Sequence, residues 1–128
     1  MERKRRILFL WASIIGGFAI HSLADLMPLF WSENISISET GKAPAGMLLF
    51  MMTVSYLIPV AGMICMLYFS SRTARIVNAV LALFIALFCI LHMLELIIGF
   101  NPVQLVILPV MAVTAILLAA DSVKALKP

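Results

Sequence analysis

Two histidines and their acidic neighbours are the residues of this chain with chemistry to offer. His21 and Asp25 stand four apart, and His92 and Glu95 three apart. At 3.6 residues per helical turn, each pair lies on one side of a helix. Both pairs fall inside long apolar stretches, one running from Gly16 to Trp31 and one from Leu87 to Phe100. Ionisable groups in hydrocarbon are costly and usually mark a site. Two imidazoles and two carboxylates at one level make a divalent-metal site. Zinc is the first candidate, because it takes imidazole nitrogen and carboxylate oxygen in a tetrahedral shell. The expected ligands are His21, Asp25, His92 and Glu95. An open coordination position would activate water for hydrolysis. Without a metal, the same groups would relay protons or hold a small polar ligand. Tyr56 is expected to join them, since its hydroxyl falls at about the same depth and needs a partner such as His21 or Glu95.

Other cofactors fit less well. One histidine on each of two helices could ligate a haem on both sides, but the adjacent carboxylates would then sit beside the macrocycle face. Nine methionines invite copper, with Met47, Met51 and Met52 near one end of the second span and Met63 and Met66 near the other. Methionine is more often a filler of irregular gaps. Cys65 and Cys89 belong to no C-x-x-C and read as small apolar residues. The chain also lacks G-x-S-x-G and H-E-x-x-H, so no enzyme class is named. Asn34-Ile35-Ser36 matches a glycosylation sequon that carries no meaning in a bacterial protein.

The elements that must position these groups follow from composition. Of 128 residues, 64% are hydrophobic and 12% charged, and the mean hydropathy is +1.15. A water-soluble domain is nearer half apolar and a quarter charged, so lipid is the expected solvent. The length allows one domain over residues 1–128. The expected fold is an all-α membrane protein of four transmembrane helices in an antiparallel up-down bundle. The spans are about 7–31, 45–69, 74–99 and 102–120, with a polar outer loop over 32–43. Each span is long enough to cross at 1.5 Å per residue. Pro59 and Pro109 predict kinks. A Ser or Thr within 70–73 caps the third span, Asn101-Pro102 starts the fourth, and Asp121 to Pro128 forms a short polar tail. The start resembles a signal peptide, but the apolar run continues past Ser22-Leu23-Ala24 through Trp31, which argues against cleavage.

Charge sets the expected orientation. Arg3, Lys4, Arg5, Arg6, Arg72, Arg75, Lys124 and Lys127 collect at one end, against Lys42 at the other. By the positive-inside rule both termini face the cytoplasm, as in an integral protein of a bacterial inner (plasma) membrane. Spans one and three then run outward together. His21 lies about 21 Å above Ile7, and His92 about 24 Å above Ile76, so both couples reach one height near the outer leaflet. Ser13, Gly17, His21, Asp25 and Pro28 share a stripe of span one. Trp11 and Trp31 fit the interfacial aromatic belts.

Two further readings compete with a ligand site. In the first, His21 with Glu95 and His92 with Asp25 form interhelical pairs that only lock the bundle of an accessory or scaffold subunit of a larger membrane complex. In the second, the chain is a small transporter. Four short helices enclose little volume, so a substrate path would need a homo-oligomer, with Ala79, Ala82 and Ala86 as its small-residue face. The lipid bilayer is the common partner of all three readings. Nucleic acid is excluded, because the cations sit at helix ends and not on one continuous face.

Overall fold

The computed structural model describes residues 2–34 and 44–127, and within them the chain is helical, with no strand. Helix α1 spans Arg3–Leu26 and tightens into a 3-10 turn at Met27–Trp31, where Pro28 enters and Ser32 closes in the left-handed region at φ 59°. Helix α2, Ala45–Met52, runs through a π turn at Thr53–Leu57 into α3, Ile58–Tyr68. Helix α4 covers Arg72–His92 and the short α5 covers Glu95–Ile98. Helix α6 covers Gln104–Lys124. These elements make up four helical stretches, each long and apolar enough to cross a membrane. Most of the loop expected at 32–43 lies outside the described residues, as do Lys42 and the serine of the sequon.

Helix α6 packs against α1 and α4, and α3 packs against the same two. Helices α1 and α4 therefore stand diagonally, and only long side chains reach between them. Contacts at the two ends fix the directions. Arg6 of α1 meets Asp121 of α6 at one end, and His21 meets Gln104 at the other, so α1 and α6 are antiparallel. Trp11 meets Asn78, and His21 meets His92, so α1 and α4 run the same way. The core is made of stripes at helical spacing. Ile7, Trp11, Ile14 and Phe18 come from α1; Met111, Ala112, Ala115 and Leu118 come from α6. Ala79, Ala82, Ala86 and Cys89 form one buried stripe of α4.

Several expectations change here. Ala79, Ala82 and Ala86 are at most 7% exposed. Small side chains let α4 come close to α6, so that face is used inside the chain and is not free for a second copy. Pro59 follows directly on an irregular turn of the second span. This is a π turn, with the Ile58 amide donating to the carbonyl of Thr53. The third span breaks after His92. The amides of Leu94, Leu96 and Ile97 donate to carbonyls three residues back, which tightens the chain across Met93 and Leu94. Pro109 lies within a continuous α6, which extends through Lys124, so Asp121 to Lys124 are helical and not tail. Ser71 caps α4 as expected, its Oγ accepting from the Ala74 amide at 3.1 Å.

Trp11 is also displaced from its expected role. It is fully buried, not interfacial, and its indole N–H donates to Asn78 Oδ1 at 2.8 Å. Asn78 Nδ2 donates in turn to Ser122 Oγ at 2.9 Å. Gly62 of α3 makes room for the indole: a Cβ there would lie 2.4 Å from Trp11 Cε2. Gly17 serves α6 in the same way, with a Cβ 2.8 Å from Met111 Cγ. Trp31 is 71% exposed and retains the character of a surface aromatic.

Candidate metal centre

The end of the bundle away from the cation cluster holds both histidines. His21 comes from the last turns of α1 and His92 from the last residue of α4. The diagonal placement of these helices aims the two rings at each other across the bundle. Their Nε2 atoms are 3.0 Å apart, and the rings meet edge to face with centroids 4.9 Å apart. The side chain of His21 is 13% exposed and that of His92 20%. Phe88, one turn before His92, stacks on its ring at 5.5 Å and 19°. That stacking holds the imidazole plane.

Each ring has a partner at its far nitrogen. His92 Nδ1 lies 3.2 Å from Glu95 Oε1, across the break between α4 and α5. His21 Nδ1 lies 2.7 Å from Gln104 Oε1, in the first turn of α6. Gln104 Nε2 donates to Asp25 Oδ1. This chain fixes protons. The carboxylate of Asp25 accepts from the amide nitrogen, which turns the amide oxygen toward His21. That oxygen only accepts, so His21 Nδ1 carries hydrogen. A neutral His21 then presents a bare Nε2 lone pair to His92. The second oxygen of Asp25 stands 3.7 Å from that same Nε2.

A cavity of about 80 Å³ opens beside the pair. His21 and His92 line it, with Phe18, Phe50, Met51 and Ser55 among its walls. The space exceeds what one water needs and has polar side chains among its walls. One ligand atom from each of His21, His92 and Glu95 can be chosen so that all lie within 4.8 Å of one another.

The structure thus brings together His21, His92 and Glu95, with Asp25 beside His21. The pairing differs from the crossed arrangement of His21 with Glu95 and His92 with Asp25. Each histidine keeps the acid of its own stretch, and the histidines meet each other. Tyr56 is not brought in. It lies in the π turn, is 61% exposed and does not line the cavity. The expectation rested on depth along the second span, and depth does not fix direction around a helix axis. Gln104, only 5% exposed, is the site residue that sequence reasoning missed. Its signal was an amide one turn into an apolar span, entering from the same side as the histidines. No protein-family model, curated protein or solved structure matches this chain.

Proposed function

We propose that this chain is a membrane-spanning protein that holds a divalent transition-metal ion, zinc first, between His21 and His92. The membrane reading is supported by four apolar stretches whose large side chains face outward. Phe9, Leu49, Ile97 and Val106 are each more than 60% exposed. A soluble monomer rarely exposes apolar patches beyond a few hundred Å². The cation cluster at the opposite end supports the orientation with both termini cytoplasmic.

One observation carries the metal reading: two Nε2 atoms converge at 3.0 Å while both Nδ1 atoms are engaged from behind. Tetrahedral zinc with bonds of about 2.0–2.1 Å places neighbouring nitrogens about 3.3 Å apart. Ligating histidines usually donate their other N–H to a carboxylate or carbonyl. In the metal reading Glu95 Oε1 accepts that hydrogen from His92 Nδ1, and Gln104 Oε1 accepts it from His21 Nδ1. In this reading both Nε2 atoms ligate, Asp25 Oδ2 stands 3.7 Å from that of His21, and the cavity supplies the remaining positions. Bound zinc would supply a Lewis acid there.

The second reading is a hydrogen-bonded lock, favoured by the same 3.0 Å contact, which is also a good N–H···N distance. Metal analysis of detergent-purified protein separates the two. The metal reading expects about one zinc per chain. His21→Ala and His92→Ala should each lower zinc affinity by about 100-fold or more, roughly 2.7 kcal/mol. Wild-type protein that takes up no zinc while both variants merely lose stability would leave the lock.

A further inference from the structure

The end of the bundle opposite the histidines has a cavity of its own, of about 310 Å³. Arg3, Lys4, Arg75 and Lys127 line one part of it, and Ile7 and Met66 another. These cations come from three separate segments: the start of α1, the start of α4 and the residues after α6. Several like charges facing one space repel each other unless something anionic joins them. No acid among the described residues lines the cavity, and Asp121 of the same end is already engaged, accepting from Arg6 Nε at 2.9 Å and from Arg6 Nη2 at 3.1 Å. Arg75 is underused. Its Nη1 reaches the Ala125 carbonyl at 3.4 Å, while its Nε is buried with no hydrogen-bond partner among the described residues. A buried donor without an acceptor is uncommon and calls for an explanation.

We propose that this groove seats the phosphate of an anionic phospholipid, with Arg75 and Lys127 on the phosphate oxygens and Ile7 and Met66 against the glycerol and upper acyl chains. The assignment rests on the membrane-spanning reading. A free phosphate would satisfy the cations as well, but it would leave the apolar wall unused. The groove also lies at the height where the positive-inside rule places headgroups of the anionic cytoplasmic leaflet. Basic pockets between helices on that side are suited to such headgroups.

The test uses the full chain in detergent, with lipid binding read by native mass spectrometry. Phosphatidylglycerol should bind at least about tenfold more tightly than phosphatidylcholine. Lys127→Gln and Arg75→Gln should each weaken phosphatidylglycerol by about fivefold, the scale of one basic residue near an anionic surface. Arg5→Gln removes an exposed cation of the same end that does not line the groove. It should leave binding within about twofold, since only diffuse attraction is lost. Equal binding of the two lipids overturns the proposal, as does an Arg5→Gln loss as large as that of Lys127→Gln. Displacement of phosphatidylglycerol by millimolar inorganic phosphate would reassign the groove to a soluble anion. Should Arg75→Gln fail to fold, Lys127→Gln carries the comparison, because its side chain is exposed. Carbonate washing of membranes keeps the two failures apart: a chain released by the wash fails the spanning reading, and a retained chain without lipid preference fails only this one.

Discussion

Two polar groups bridge the diagonal helices α1 and α4, one toward each end of the bundle, and they are built on different principles. At the basic end, Trp11, Asn78 and Ser122 are fully buried and electrically neutral. Indole N–H meets amide oxygen, and amide N–H meets hydroxyl, at 2.8 and 2.9 Å. At the other end the members are ionisable, the two acids are more than half exposed, and a cavity adjoins them. Neutral groups in matched pairs, fully buried, tie three helices together and present no open face to a ligand. Imidazoles meeting lone pair to N–H, beside open space, can exchange that proton for a metal. Burial and neutrality suit a fastening; partial exposure beside open space is what the metal proposal rests on.

The contrast is sharpest under overpacking. Gly62→Val would put a Cβ 2.4 Å from the Trp11 ring, with two more carbons behind it. The indole is buried and tied to Asn78, so it has nowhere to turn. The expected cost is about 3 kcal/mol, the upper end of the usual range for inserted methyl groups. It is read as a drop in unfolding midpoint in detergent. Zinc bound per folded chain should not change, because the histidines lie several turns away. A variant within 1 kcal/mol of wild type, on the same scale, would mean the basic end is loosely packed, and the distinction between the two ends would go with it.

That distinction was only half legible in the sequence. His21 and His92 stand out because imidazole and carboxylate are rare in apolar runs, and equal rise along parallel helices brought them to one level. Height says nothing about direction around the helix axis. So Tyr56, expected at the same height, is turned outward, and the acids pair along their own stretches instead of across. The break after His92 has no Gly or Pro to announce it; Met93 and Leu94 are ordinary helix formers. The neutral members were harder still. Gln104 reads as the polar flank of a span, and Asn78 as one amide in an alanine-rich helix. Trp11 near a basic terminus reads as an interfacial aromatic. What assigns them is a partner on another helix, and no property of a single stretch encodes that.

Smaller effects test the site's own layering. Glu95 and Gln104 each touch the far nitrogen of a histidine, at 3.2 and 2.7 Å. If they only orient the rings, Glu95→Gln and Gln104→Leu should each weaken zinc by about tenfold, the lower end of what outer-sphere changes do. Gln104→Leu also frees His21 to adopt the other tautomer and leaves Asp25 without its amide donor. Isothermal titration with zinc gives both values. A loss with Glu95→Gln as large as that of His92→Ala would make Glu95 a direct ligand, and the arrangement of two Nε2 donors would be revised.

The smallest expected effect probes the fastening itself. Trp11→Phe keeps an aromatic ring beside Gly62 but removes the N–H that Asn78 accepts. Hydrogen bonds between helices in membranes average about 0.6 kcal/mol and reach about 1.7, so a loss near 1 kcal/mol is expected. Part of any measured change will come from the smaller ring, and a cycle removes that part. With Asn78→Leu as the second substitution, the Phe-for-Trp packing cost appears on both sides and cancels. What remains is the coupling between indole and amide. The double variant should be more stable than the two single losses predict, because an apolar pair leaves no stranded carbonyl oxygen at that position. Zero coupling would mean that the indole is held by Gly62 and its apolar neighbours alone. The polar chain at the basic end would then be incidental to the pairing of α1 with α4.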